Sequence, residues 1–369
     1  MDLGGGSGMG DELGPDKVVR IHDARVGLEA VVVVDNVACG PAIGGVRMAR
    51  DVTLAEVTRL ARAMTMKNAA AGLAHGGGKS GIVADPAGAP ADKERLIRTF
   101  ARAIRSLTEY IPGPDMGTDE RCMAWVKDEI DRAVGLPRVL GGIPLDEIGA
   151  TGWGVAIAAE VAAAEAGISL DGARVAIEGF GAVGQHAARF LAARGARLVA
   201  ASDSRGAIHD PAGLRVDALM AHKRAGRPLT DFPGSRAIGR EALVGVPCEI
   251  WIPAARPDTL TAENVGGLQA KLVIQGANIP ATEPAERWMH AHRVLSIPDF
   301  IANAGGVICA AIEYHGGTQA QAFAAIEERI RANTRETLER ARTDAVLPRE
   351  AATRMACARV REAMRYRRT

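Results

Sequence analysis

The sequence predicts an α/β protein of two domains: an N-terminal α/β domain, then a doubly wound parallel sheet. Three observations lead there. At 369 residues the chain is long for a single hydrophobic core. Its second half alternates short apolar runs with helical stretches, the pattern of parallel strands joined by crossover helices. One of those runs leads directly into Gly179-Phe180-Gly181-Ala182-Val183-Gly184, which opens a helix.

Taken in order, residues 28–34 (LEAVVVV) read as an apolar strand. Leu54, Val57, Leu60, Ala61 and Met64 follow helical spacing, and Gly72 is a fitting stop. Leu96 to Leu107 reads as a second helix. Thr118 suits the N-cap of a third, running to about Val134 with Gly135 past its end. The strands interleaved here do not alternate regularly with helices. From residue 151 they do. An alanine-rich helix runs to Ala166, and 173–178 (ARVAIE) reads as a buried strand. A helix follows to about Ala193, then strands at 197–201, 249–253, 271–275 and 294–297. Residues 319–368 form a charged amphipathic helical stretch.

The bulk properties exclude several classes. A net charge of +1 with 24% charged residues points neither to nucleic acid nor to an acidic surface. No apolar run approaches the roughly 18 residues of a membrane span. Met1-Asp2-Leu3-Gly4-Gly5-Gly6-Ser7-Gly8 lacks the plan of a signal peptide and reads as a flexible or vector-derived tail. Five scattered cysteines (Cys39, Cys122, Cys248, Cys309, Cys357) argue against a disulfide framework and a cysteine metal site. A reducing, cytoplasmic setting and no metal are therefore expected.

The stretch GLAHGGGKSG, 72–81, invites a phosphate-loop reading that fails twice. The first glycine the motif requires falls on Leu73. After Lys79 the chain reads Ser80-Gly81-Ile82-Val83-Ala84-Asp85-Pro86, strand-like rather than helical. Phosphate recognition belongs instead to Gly179, Gly181 and Gly184, with Ala182 and Val183 between them. They lie between a strand and a helix, the context a dinucleotide fingerprint needs. The first glycine makes the turn, the second admits the pyrophosphate, and the third lets helix pack on strand. The acid expected about 20 residues on is Asp203, one position past the expected strand end, with Arg205 beside it. NAD is the expected cofactor, with NADP possible. Ala254 and Ala255, after strand 249–253, are assigned to the same site.

A hydride acceptor in one domain requires acid/base groups in the other. Lys67 and Lys79 flank a run of small residues. Asp115 sits in a stiff Pro-Gly-Pro-Asp-Met-Gly-Thr loop ahead of a helix. At these residues the chain resembles the glutamate/leucine/phenylalanine/valine dehydrogenases. The resemblance is carried by Gly40-Pro41-Ala42-Ile43-Gly44-Gly45-Val46-Arg47, Met64-Thr65-Met66-Lys67-Asn68, Gly76-Gly77-Gly78-Lys79 and Gly113-Pro114-Asp115-Met116-Gly117-Thr118. It continues in Ala150-Thr151-Gly152, Gly276-Ala277-Asn278 and 298–307 (PDFIANAGGV). It implies a Rossmann domain, a substrate cleft between the domains, and oxidative deamination of an L-amino acid to a 2-oxo acid and ammonia. By resemblance, Lys67 binds the substrate carboxylate, Lys79 polarises the attacking water and Asp115 shuttles protons. Thr151 and Asn278 touch the nicotinamide and its ribose, Asn303 belongs to the loop at the cleft wall and is counted with the cofactor site, and Gly44 and Gly45 line the substrate site. The glycines at 76–78 are expected to let backbone and substrate come close without a Cβ in the way.

Departures from the glutamate branch suggest an apolar substrate. A lysine there is Ile43 here, a serine is Ala310, and an arginine is Glu147. Burying a side-chain carboxylate without a partner costs several kcal/mol. Ile43, Met64, Val307 and Ala310 are thus expected to line an apolar pocket for a branched-chain or aromatic residue. Glutamate and, through Glu147, a basic amino acid remain alternatives. So does an NAD-sensing protein without catalysis, although Lys67, Lys79 and Asp115 speak for an enzyme. A hydroxy-acid dehydrogenase would commonly pair a histidine with a carboxylate, and the eight histidines show no such arrangement; His75 is expected to pack or to face the cleft entrance. The expected layout is a substrate and assembly domain at 1–140, a dinucleotide domain at 141–330, and C-terminal helices at 331–369 returning to the first domain. The resemblance also implies a homo-oligomer.

Overall fold

The computed structural model describes residues 10–367; the glycine-rich tail Met1–Gly8 lies outside them. The chain forms two compact units. The first takes residues up to Pro144, Val307–Ala322 and from Met355 on; the second takes Leu145–Gly306 and Phe323–Arg354. The expected block 331–369 is therefore divided, residues 331–354 going with the second unit and 355 onward with the first.

The first unit contains β1 (Lys17–Asp23), β2 (Leu28–Asn36), β3 (Ala42–Ala49), α1 (Leu54–Ala70), β4 (Gly76–Val83), α2 (Pro90–Ala103), β5 (Tyr110–Pro114) and α3 (Glu120–Ile130). Its sheet has the order β1-β2-β4-β3-β5. β2 pairs antiparallel with β1 and β4, whereas β3 runs parallel to β4 and β5. The two faces have separate cores. Val46, Met48, Ile82 and Tyr110 pack with Ile97 and Phe100 of α2 and Met123 and Val126 of α3. Val31 and Val33 pack on Val57 and Ala61 of α1. Each valine, isoleucine, methionine or phenylalanine among them, fully buried, contributes roughly 1.5–3 kcal/mol. α1 is capped by Thr53, whose side chain accepts from Glu56 N, and pinned by charge. Arg62 Nε reaches the buried Asp35 Oδ2 at 2.8 Å, and Thr65 Oγ1 donates to the same oxygen at 2.6 Å.

The third helix starts one residue later than the sequence predicts and ends sooner. Asp119 is the N-cap, and Asp131 ends the helix in the left-handed region at φ 57°. Thr118 is not available as a cap because its hydroxyl is used in the loop before it.

The second unit opens with α4 (Leu145–Ile148) and α5 (Ala150–Glu165), then β6 (Arg174–Glu178), α6 (Ala182–Ala192), β7 (Arg197–Asp203), β8 (Gly206–His209), α7 (Val216–Arg224), β9 (Arg236–Ile238), β10 (Ile250–Pro253), β11 (Leu272–Ile274), α8 (Glu283–Ala291), β12 (Leu295–Ile297) and α9 (Asp299–Ala302). The sheet order is β12-β11-β10-β6-β7-β8-β9. Strands β12 to β7 are parallel, as the sequence predicts, but β8 and β9 add an antiparallel edge. That edge was hidden because β8 has only four residues and β9 three, none of β9 buried. β7 also runs on to Asp203, so this acid ends the strand rather than following it.

Three helices complete the chain: α10 (Gly305–Tyr314), α11 (Gln319–Asp344) and α12 (Pro348–Met364). The charged stretch is thus two helices, broken where Ala345 takes φ 53° ahead of Pro348. Among the described residues no helix is long and apolar enough to cross a membrane.

Candidate functional site

Strand alternation decides which side chains of the first unit meet. On β4 the missing Cβ of Gly77 would lie 2.0 Å from Thr65 N, and that of Gly81 2.3 Å from Val52 Cγ1, so this face looks toward α1. Lys79 lies between them on the same face. β3 places Ile43 opposite Gly77 in register, and alternation brings Gly45 and Arg47 to that face too. Asp115 arrives from the end of β5. A Cβ on Gly45 would sit 2.7 Å from Asp115 Cβ and 3.2 Å from Lys79 Nζ, so only glycine leaves room for the pair.

The Asp115 loop is fixed by short-range bonds. Thr118 Oγ1 accepts from Asp115 N at 3.0 Å and donates to Val46 O at 2.8 Å. Gly117 turns at φ +81°, with Met48 O 2.0 Å from where a Cβ would stand. The carboxylate then meets two cations on one oxygen. Lys79 Nζ and Arg47 Nε each lie 2.9 Å from Asp115 Oδ2. Arg47 is oriented in turn by Glu56 of α1, at 2.5 Å.

These groups are poorly hydrated, and their acidities respond. The Lys79 side chain is only 8% exposed. Burial pushes its pKa below the ordinary lysine value; Asp115 opposes that and Arg47 adds to it. For Asp115 burial pushes upward, but Lys79 and Arg47 together outweigh it and hold the carboxyl below its usual range. A lysine made more acidic by burial and hydrogen-bonded to an ionised carboxylate is suited to exchanging protons with a bound ligand.

The glycines around Lys79 give the close backbone approach expected of them, and what comes close is the protein's own chain. At Gly76 a Cβ would meet Asn36 O at 1.8 Å, at Gly77 Thr65 N at 2.0 Å, and at Gly78 the Tyr110 ring at 3.0 Å. Gly44 would strike Gly78 O at 1.7 Å. The protein's own backbone and side chains take this space, so the glycines let α1 and the neighbouring strands close in. Lys67 stands in the last turn of α1, half-buried, with Met64 one turn earlier. Ile43 is 3% exposed and Ala310, on α10, 7%. Val307 is half-buried on α10. His75 packs: Nδ1 bonds Pro41 O and Nε2 meets His315 Nε2, each at 3.0 Å, beside the Tyr314 ring.

In the second unit the residues expected at a dinucleotide gather at the carboxyl ends of β6, β7, β10 and β11. β6 feeds chain to β7 on one side and has β10 on the other, so this is the switch point of the sheet, where such folds bind ligands. Gly179 turns at φ +93°, and a Cβ there would meet Ala255 Cβ at 2.6 Å. Gly184 would meet Gly179 O at 2.1 Å, which presses α6 onto the turn. Gly181 differs, with no protein atom within 4 Å of its missing Cβ, and it begins α6 without a side-chain cap. Open space at the amide end of a helix fits a pyrophosphate. Gly276 completes the wall, 3.3 Å from both Ala254 Cβ and Val183 Cγ1 as measured from its missing Cβ.

Asp203 adjoins this turn. Ser202 Oγ accepts from Gly179 N at 3.2 Å, and Ser202 O accepts from Phe180 N at 2.6 Å. At the far side Asn303 Nδ2 donates to Ala277 O at 3.2 Å and Asn278 Oδ1 at 3.1 Å, while its own Oδ1 is buried without a partner. Thr151 lies in the first turn of α5, its Oγ1 3.0 Å from the missing Cβ of Gly306. An orphaned buried acceptor beside these groups suits a ligand amide, so the residues fit a dinucleotide.

Sequence reasoning missed Arg47 and Glu56. Arg47 was visible as the end of a glycine motif; strand alternation from Gly45 would have placed it in the site.

Comparisons with known proteins show the family of the chain. Residues 141–368 match the family model Glutamate/Leucine/Phenylalanine/Valine dehydrogenase. Residues 15–132 match Glu/Leu/Phe/Val dehydrogenase, dimerisation domain. The chain is 38% identical over 319 residues to a glutamate dehydrogenase of Aeropyrum pernix, covering 81% of this chain and 76% of that one. It is 37% identical over 319 residues to an NAD-specific glutamate dehydrogenase of Staphylococcus aureus, covering 83% and 76%. The hetero-hexameric glutamate dehydrogenase from Thermus thermophilus, in a Leu-bound form, superposes with TM-score 0.85 at 30% identity, over 96% of this chain and 90% of that one.

Proposed function

The chain belongs to the glutamate/leucine/phenylalanine/valine dehydrogenase family, and from that premise we propose that it catalyses the reversible, NAD(P)-linked oxidative deamination of an L-amino acid with an apolar side chain. By family it is an amino acid dehydrogenase, an oxidoreductase. The observation that carries the fuller reading is the pair of buried Lys79 and half-buried Asp115, with Ile43 on the same sheet face.

Bound nicotinamide supplies the acceptor for the hydride leaving the substrate Cα. Lys67 holds the α-carboxylate. Asp115, ionised and close to Lys79, takes the proton that leaves the substrate amino group. Lys79, an ammonium held on Asp115, hydrogen-bonds and polarises the water that adds at the imine carbon, and the proton this water gives up passes to the substrate nitrogen, which departs as ammonia. Poor hydration of the pair strengthens each of these exchanges. NAD as cofactor is supported by the Staphylococcus aureus relative's name. Assembly of several copies is supported by the dimerisation-domain match and the hexameric Thermus structure.

Ile43 and Ala310, both buried, offer a substrate carboxylate neither cation nor donor, and burying one unpaired costs several kcal/mol. Glu147 is exposed on α4. Glutamate is the second reading, favoured by the names of the relatives. A panel of L-amino acids, followed at the reduced-nicotinamide absorbance with NAD and with NADP, separates the two. Leucine, valine, phenylalanine or tryptophan should exceed glutamate. Ile43→Lys with Ala310→Ser should raise glutamate turnover; an unchanged preference would remove these positions from the pocket. No turnover with any amino acid would sink the enzyme reading.

A further inference from the structure

The wall of the dinucleotide site holds one strained residue. Ile279 follows Asn278 and takes φ 47°, a conformation that β-branched side chains rarely adopt. Such a residue persists only where its surroundings over-determine it. Here its carbonyl accepts from Asp258 N at 2.9 Å, and its N–H donates to Asp299 Oδ2 at 2.9 Å. Asp299 begins α9, and Asn303, just past the end of α9, bonds Ala277 O and Asn278 Oδ1. Both ends of α9 thus grip the 277–279 loop. With only four residues, α9 has little stability of its own.

α9 is steadied by Arg349, which stands in the first turn of α12 and belongs to the same compact unit. Its Nη2 lies 2.8 Å from Asp299 Oδ1, a charge contact without the alignment of a hydrogen bond. Its Nε donates to both oxygens of Glu286 on α8, each at 2.8 Å, and Nη2 donates to Gln275 Oε1 at 2.7 Å. Gln275 is fully buried, Glu286 is 6% exposed and Asp299 5%. Two buried carboxylates therefore share one guanidinium. Its planar fork reaches both; a lysine ammonium is a single point and serves one at a time.

We propose that Arg349 is a positioning residue for the dinucleotide: by fixing Asp299 it fixes Ile279 N–H, and with it the 277–278 segment against the nicotinamide ribose. The proposal rests on the dinucleotide reading of this site and is independent of which amino acid is consumed.

The full-length protein is titrated calorimetrically with NADH and with adenosine 5′-diphosphate, which lacks the nicotinamide and its ribose. Arg349→Met should weaken NADH about tenfold, the scale of one lost hydrogen bond, and leave the diphosphate within about twofold. Arg349→Lys should fall between the wild type and Arg349→Met. Asp299→Asn keeps the shape of the acid but offers Arg349 no charge, and it should split the two ligands in the same way. That variant carries the test where Arg349→Met does not fold. Combining the two substitutions should weaken NADH no further than the worse of them, because both break one link. Unchanged NADH affinity in both single variants would overturn the proposal. So would equal losses of NADH and the diphosphate, since the network would then only hold the fold, and so would additive losses in the double variant. In each of those cases the dinucleotide site stands. A wild type that binds neither ligand would overturn the proposal together with that site.

Discussion

In the first unit Lys79, Arg47 and Asp115 are held by one another's charge, with both cations 2.9 Å from one carboxylate oxygen. In the second unit the corresponding positions are Gly179, Gly181 and Gly184, held by backbone geometry, where even a methyl group decides what fits. The difference shows that the two halves fail in different ways. A charge network loses function when a charge is removed, although its backbone survives. A glycine turn loses function when an atom is added, although no charge changes.

The largest expected effect is on the charge side. Lys79→Ala should cut turnover about a thousandfold, the range of a lost acid/base group, while dinucleotide affinity stays at the wild-type value. Turnover within tenfold of wild type would remove Lys79 from the chemistry. Next is the backbone side, where two substitutions should separate. Gly181→Ala puts its methyl into open space, so melting should not move while dinucleotide binding weakens about tenfold. Gly184→Ala presses on Gly179 O and should lose about 1–3 kcal/mol of stability besides. Equal behaviour of the two by calorimetry would contradict the assignment of Gly181 to the ligand.

Arg47→Met tests whether charge, rather than shape, sets Asp115. Lys79 and Arg47 hold Asp115 below its ordinary value against burial. With one cation gone, burial gains ground and the carboxyl titrates at higher pH. The acidic limb of the pH–rate profile should therefore move upward, with turnover down about tenfold at neutral pH. A limb that does not move would show that Arg47 only fills space.

The smallest effect sharpens the comparison with an exception. Glu313 is a buried acid in the first unit, yet backbone amides hold it: Leu136 N at 3.0 Å and Ile143 N at 2.8 Å. Burial raises its pKa, so its contribution to stability is present below the unfolded value and is lost as pH rises through the folded one. Glu313→Gln removes one acceptor and should cost about 1 kcal/mol under acidic conditions. The deficit should shrink as pH rises, because only the wild type then carries a buried charge. Denaturant unfolding at about pH 4 and about pH 7 measures it.

The second unit was the more readable in the sequence, because a parallel sheet announces itself in continuous apolar runs and a fixed glycine spacing. β6, β7, α5 and α6 fall where those patterns put them. The antiparallel edge escaped because β8 and β9 are too short to carry a period. In the first unit β4 begins with three glycines, whose strand propensity is poor, and only the closing of neighbours around them makes them a strand. Lys79 and Asp115 were recognisable through resemblance, but their ion pair depends on β4 and β5 flanking β3, a long-range arrangement no local pattern encodes. Thr118 was misread as a cap because local chemistry gives a threonine before a helix two uses, and tertiary contact with Val46 selects the other.

The crowded glycines of β4 also constrain how this protein can diverge. Positions 76 and 77 face the protein's own backbone, so no side chain offered there by mutation finds room. The address of Lys79 is in effect closed to drift. Ile43, opposite Gly77 on the same face, carries a side chain of its own and stays open to exchange. Lineages sharing this scaffold can therefore vary the side chain at residue 43 while the amine at 79 remains where it is.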